Sequence, residues 1–128
     1  MTAYGVLSRG LLSVSLPSGP KDMRAHLPRF SGENLEKNRQ LVERFQALAA
    51  EKGVSASQLA IAWVLAKGEN IVPVIGARKR TQLDESLGAL QVELSAAEVA
   101  HIEEVIPADA VAGERYAPQQ MKTLDSES

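Results

Sequence analysis

Two stretches of this 128-residue chain have the character of β-strands, TAYGV at residues 2–6 and IVPV at residues 71–74. What lies between them and after them has helical periodicity. Strands that alternate with helices pair in parallel and are joined by right-handed crossovers. A sheet of two strands, however, has two bare edges and is marginal even with helices packed on it. The helices of this chain therefore call for more sheet than its own sequence supplies.

The helices carry their own punctuation. Ser31 precedes a segment in which Leu35, Leu41, Val42, Phe45, Leu48 and Ala49 recur at helical spacing, and Gly53 stands where a left-handed stop is expected. Ser55-Ala56-Ser57-Gln58 is a capping box that opens QLAIAWVLAKG, apolar on nearly every side and so expected to be largely buried, with Trp63 in the core. Gly68 ends it. IVPV is β-branched and apolar on both faces, as a parallel strand covered on both sides would be, and Pro73 keeps it short. A third helix is expected from about Thr81 to Leu90. A second capping box, Ser95-Ala96-Ala97-Glu98, opens a fourth through Val99, Ile102, Val105 and Ile106, which Pro107 ends. Residues 12–30, broken by Pro17, Gly19, Pro20 and Pro28, form a long loop of the kind that is often functional. Residues 107–128 read as a polar, irregular tail.

Composition narrows the chemistry. A net charge of −2 gives no bulk attraction to nucleic acid or anionic lipid, and the absence of Cys excludes disulfides and thiolate chemistry. No apolar run approaches the ~18 residues of a membrane span, and the N-terminus lacks a signal-peptide pattern. A cytoplasmic protein with no membrane and no nucleic-acid partner is the expectation. His26 and His101 have no second histidine or carboxylate cluster at ligand spacing, so no metal site is assigned. Glu33, Glu36 and Glu43 share a helix with Lys37 and Arg44 and read as a solvated face.

One stretch resists a bland reading. IVPVIGARKRTQLDESL runs from a strand through Gly76 and Ala77 into Arg78, Lys79 and Arg80, at a helix start that is already positive. Such a loop suits a phosphate, through free N–H groups and formal charge. It suits equally a solvated basic turn balanced by Asp84 and Glu85, and spacing alone leaves both readings standing. Near the first strand, Tyr4 could stack on a flat ring and the following loop amides could hold a diphosphate. The alternative is a half-buried strand tyrosine beside a polar turn.

AYGVLSRGLL followed by IAWVLAKGENIVPVIGARKRTQLDESLGAL resembles the C-terminal half of the NADPH-dependent aldo-keto reductases, with their strand-7 pattern AYSPLGRGxL and strand-8 pattern VPIPGTKRxxxLEENLGAL. The likeness runs from Thr2 to about Ile106. It implies an α/β fold that is the C-terminal part of a (β/α)8 TIM barrel, with two parallel strands and about four helices, incomplete as a barrel. Residues 1–128 would then be one partial oxidoreductase domain, with 107–128 its tail. Carried over by resemblance, Tyr4 would stack on the nicotinamide of NADP(H), and Gly5, Leu7, Ser8 and Arg9 would line the diphosphate. Gly76, Ala77, Arg78 and Lys79 would surround the 2′-phosphate, Gln82 would lie near the adenosine ribose or phosphate, and Glu85 and Ser86 would meet the adenine. Gly5 stands where many members have Ser, Ile75 where many have Pro, and Ser86 where many have Asn.

The family's catalytic Asp, Tyr, Lys and His belong to the first half of its barrel, which nothing here matches, and neither Tyr4 nor Tyr116 occupies that motif. No catalytic residue is therefore assigned. The resemblance implies a fragment of an enzyme that moves a hydride from NADPH to an aldehyde or ketone, taking a small carbonyl substrate only in a complete barrel. A complementary N-terminal half or self-association would complete it. The competing expectation is a non-catalytic nucleotide-binding or partner-binding remnant.

Overall fold

The computed structural model describes residues 1–10, 12, 18–114 and 116–122, with Arg9 by its backbone alone. Parts of the expected loop and tail, at 13–17, 115 and 123–128, lie outside the described residues. Two strands, β1 (Thr2–Ala3) and β2 (Val72–Pro73), pair in parallel with Thr2 opposite Val72 and Ala3 opposite Pro73. The N–H groups of Val72 and Val74 donate to the Met1 and Ala3 carbonyls at 2.8 and 2.7 Å. Position 73 therefore faces the outer edge, where the N–H that proline lacks is not needed by this ladder. β1 is shorter than residues 2–6, because Gly5 takes a left-handed φ of 70° and turns the chain away from the sheet.

The described residues form five α-helices, α1 (Gly32–Lys52) and α2 (Ala56–Ala66) between the strands, and α3 (Arg80–Gly88), α4 (Ala96–Val105) and the single turn α5 (Pro118–Met121) after β2. Both expected capping boxes form, with Ser55 Oγ accepting from the Gln58 N–H at 3.1 Å and Ser95 Oγ from the Glu98 N–H at 3.2 Å. Each such cap is worth ~1 kcal/mol. Gly53 ends α1 in the left-handed region and donates to the Ala49 and Ala50 carbonyls. Ser31 does not cap α1 with its side chain; its hydroxyl donates instead to the Pro28 carbonyl at 3.2 Å. The third helix ends earlier than expected, at Gly88, and tightens into a 3-10 turn over Ala89–Gln91. A Cβ at Gly88 would meet the Gln58 amide nitrogen at 2.4 Å, so a side chain there would displace the group that donates to the Glu85 carbonyl and ties α2 to α3.

The core forms where α1, α2 and α4 meet, around Phe45, Ala49, Leu59, Ala60 and Ile102, with Leu7 and Leu12 packed on it from the first loop. A second cluster of Leu27, Phe30 and Val42 joins the 27–30 turn to α1. Burying side chains of this size contributes ~1.5–3 kcal/mol each. α2 is less fully buried than its composition implies. Leu59, Ile61 and Ala62 are buried, whereas Trp63 is half-buried because its Nε1 donates outward to Glu103. β2 departs further from expectation, since Val72 and Val74 are both more than half exposed. One face of that strand is uncovered, so the two-sided burial inferred from its sequence does not hold.

The tail is not irregular throughout. Asn38, 1% exposed on α1, donates to the Arg29 and Ala112 carbonyls at 3.1 and 2.7 Å and accepts from the Ala112 N–H at 2.8 Å. Gly113 follows at a φ of 84°, packed so close to Pro28 and Asn34 that no side chain would fit. Arg29 Nε donates to its carbonyl. This clamp folds the segment after α4 back across α1.

Two ion pairs fasten α4 to the helices beside it, Lys52 with Glu98 and Lys67 with Glu103. The Lys52 ammonium holds the Glu98 carboxyl below its ordinary 4.5, and Lys67 does the same for Glu103. A carboxyl depressed on folding contributes stability that is present above its unfolded pKa and lost as pH falls through the folded one. The thermal midpoint should therefore be level between about pH 7 and 5 and decline below ~4.5. The Glu98→Gln, Glu103→Gln double variant should flatten that decline, and an equally steep acid limb in the variant would place the titrating groups elsewhere.

Candidate functional site

Because β1 and β2 are parallel and in register, the segments that leave their C-terminal ends lie at the same end of the sheet. Residues 4–9 and 76–79 are those segments. The first is wound tightly: Gly5 and Gly10 have positive φ, as does Ser8 at 46°, and the Ser8 and Gly10 N–H groups donate to the Gly5 and Leu7 carbonyls at 2.8 and 2.9 Å. Tyr4 is mostly exposed, which excludes the half-buried strand tyrosine. With Gly5 and Ser8 it lines a cavity of about 200 Å³, closed on the other side by Leu27, Arg29, Phe30 and Tyr116. Leu7 does not face this cavity. Its side chain packs on the core, which leaves only its backbone for any contact at the loop surface. The Arg9 side chain lies outside the described residues.

Gly76, Ala77, Arg78 and Lys79 are all exposed and reach the start of α3 without lining that cavity. Gln82 turns back at this point. Its Oε1 accepts from the Arg78 N–H at 2.9 Å and the Lys79 N–H at 3.1 Å, so two donors that sequence reasoning left open for an anion are already used. Any anion here would be held by side chains more than by those amides. The cations themselves are uncommitted: among the described residues, no ion pair joins Arg78, Lys79 or Arg80 to Asp84, Glu85 or any other carboxylate. The three side chains are exposed to solvent, a setting that both the phosphate reading and the solvated-turn reading share. Ser86, half-buried, donates its hydroxyl to the Gln82 carbonyl, and Glu85 is exposed one residue earlier.

Sequence reasoning missed Arg29 and the tail residue Tyr116 as walls of the cavity, because long-range contacts, among them the bonds of Asn38 to Ala112 and of Arg29 to Gly113, bring that segment across. A signal for it existed: Asn38 falls in phase with Leu35, Val42, Phe45 and Ala49, a polar residue in an apolar stripe. His26 and His101 are exposed, and among the described residues no group of three His, Asp or Glu side chains could hold a metal. The geometry offers a ring-stacking surface and a basic helix start at one end of a sheet.

The aldo/keto reductase family model matches residues 1–107. Probable aldo-keto reductase 1 of Glycine max is 46% identical over 118 residues, 88% of this chain and 34% of the relative. Aldo-keto reductase yakc [NADP(+)] of Schizosaccharomyces pombe is 36% identical over 124 residues, 92% of this chain and 36% of that protein. Among solved structures, the glycerol dehydrogenase AKR11B4 from Gluconobacter oxydans superposes with a TM-score of 0.74 at 29% identity, over 91% of this chain and 36% of its own. The chain thus spans about a third of the length of the relatives it matches.

Proposed function

The chain belongs to the aldo/keto reductase family, and from that premise we propose that it is the cofactor-holding C-terminal part of an NADPH-dependent (β/α)8 oxidoreductase acting on aldehydes or ketones. The observation that carries the reading is the uncommitted cationic start of α3, where Arg78 and Lys79 are exposed with no carboxylate partner among the described residues. A phosphate monoester carries close to two negative charges at neutral pH and suits such a pair of cations. Tyr4, exposed at the same end of the sheet, supplies the face on which a nicotinamide ring would stack.

In this reading Gly5, Ser8 and Arg9, with the Leu7 backbone, follow the diphosphate. Arg78 and Lys79 take the 2′-phosphate, with Gly76 and Ala77 keeping the approach open. Gln82 keeps the helix start rigid beneath them and meets the ribose side, while Glu85 and Ser86 border the adenine. When bound, the cofactor supplies a hydride to a carbonyl carbon. This chain binds and orients it, and the proton donor comes from the part of the barrel that this chain does not match. Residues 1–128 make one partial oxidoreductase domain, with 107–128 its tail. The NADP(+) in the name of the Schizosaccharomyces pombe relative supports the choice of nicotinamide cofactor.

Trypsin reads the site directly, because it cleaves after Arg78, Lys79 and Arg80. Millimolar NADP(+) should slow cleavage at these bonds several-fold, while NAD(+) at the same concentration should not. Equal protection by both, or by neither, would remove the 2′-phosphate from this loop.

A further inference from the structure

A second cavity, of about 510 Å³, opens where the last turns of α1 meet the first turns of α4, with α2 contributing Leu59. It shares no residue with the cavity beside Tyr4, so the cofactor reading does not account for it. Its volume falls within the ~300–1,000 Å³ of small-molecule sites, which are mostly apolar with a few placed polar groups. Leu48, Leu59, Leu94 and Ile102 supply the apolar floor. Two of these, Leu59 and Ile102, belong to the core at 1% and 7% exposure, so the floor is set by helix packing and not by a loop.

The remaining walls carry charge. Lys52 and Glu98 pair with each other between α1 and α4 and cancel. His101 faces Glu104 of its own helix at 3.9 Å, so whatever charge its ring takes up is matched there. Glu51 is left over: it is exposed, and among the described residues no ion pair claims it. It also stands in the last turn of α1, where the helix dipole is itself negative and a cation is favoured. An apolar floor with one unanswered carboxylate beside it complements a compact apolar body that carries a single ammonium. A fatty acid would bring like charge to Glu51, and a purely apolar molecule would leave that carboxylate unanswered.

We propose that this cavity binds a small hydrophobic amine, with the apolar body on Leu48, Leu59, Leu94 and Ile102 and the ammonium at the Glu51 carboxylate. The site goes beyond the nicotinamide reading and uses none of its residues.

The probes are phenethylamine, cationic at neutral pH, with phenethyl alcohol and hydrocinnamate as neutral and anionic analogues of similar size. Each is titrated to millimolar concentration against the whole chain with methyl-labelled Leu and Ile. The amine should shift the Leu48, Leu59 and Ile102 methyl resonances saturably and bind about three- to five-fold more tightly than the alcohol, the margin that one exposed charge pair contributes. Hydrocinnamate should bind most weakly. Glu51→Gln, at an exposed position, should erase the advantage of the amine over the alcohol and leave the melt unchanged. Ala97→Phe, on the α4 wall, should fill the cavity and remove the shifts caused by both. No saturable shift with any probe would overturn the proposal, as would shifts that survive Ala97→Phe in a variant with a wild-type melt. Equal affinity of the three probes would overturn it too, by reducing the cavity to an apolar hollow that reads no charge. Methyl shifts that grow with the concentration of the chain alone would make a second copy the occupant and defeat it equally. Since no nucleotide is present, failure here leaves the trypsin result standing, and the reverse holds.

Discussion

Replacing Asn38 by Leu should cost about 3 kcal/mol of stability, the largest loss expected from any single substitution discussed for this chain. The side chain is 1% exposed and makes three hydrogen bonds, two as donor to the Arg29 and Ala112 carbonyls and one as acceptor from the Ala112 N–H. Leucine keeps the branching at Cγ but leaves three backbone groups in a site with little access to water, and each unpaired group costs ~1–3 kcal/mol unless the segment moves away. Movement is the cheaper outcome, so the loss should fall near the low end of that sum and appear as release of the tail. Asn38→Asp should behave similarly, since a carboxylate accepts from the Ala112 N–H but donates to neither carbonyl and brings an unpaired charge inside. Urea denaturation gives the stability, and hydrogen exchange at Ala112 reports the release. A variant with unchanged midpoint and a still-protected Ala112 amide would show that the tail is held by other contacts.

The helices were legible because each carries signals that act locally. Ser55 with Gln58, and Ser95 with Glu98, satisfy helix N–H groups within one turn, so tertiary context has little to override. The strands were legible as short apolar runs, and their parallel pairing followed from the helices between them. Exposure was not legible. Val72, Val74 and the Leu83–Leu87–Leu90 stripe have the composition of buried positions, and composition reports what a residue needs, whereas burial depends on which neighbours are present. The capping of α3 escaped for a related reason. Its N-cap is Lys79, which has no acceptor to offer, so the task passes to Gln82 reaching back, half of a capping box without the serine that usually announces it. Ser31 is the opposite error, a residue of the right type that bonds elsewhere. At the candidate site, residue types and their order were readable, whereas the cavity beside Tyr4 was not, because it depends on the Asn38 clamp acting across 74 residues of sequence.

Arg78→Ala should weaken NADPH by roughly ten- to a hundred-fold and leave NADH nearly unchanged. One charge-assisted bond to a phosphate contributes ~1.5–3 kcal/mol when well formed, and this guanidinium is exposed, which places the effect toward the lower end. Lys79→Ala should act in the same direction but less, since an ammonium meets phosphate as a point charge and without a bidentate fork. Arg80, the first residue of α3, should matter least. Fluorescence titration of both cofactors against the wild-type segment, Arg78→Ala and Lys79→Ala, each carried in the completed barrel, separates a phosphate contact from a structural role. A loss confined to NADPH is expected; equal losses for NADPH and NADH would mean that these cations support the loop and do not read the 2′-phosphate.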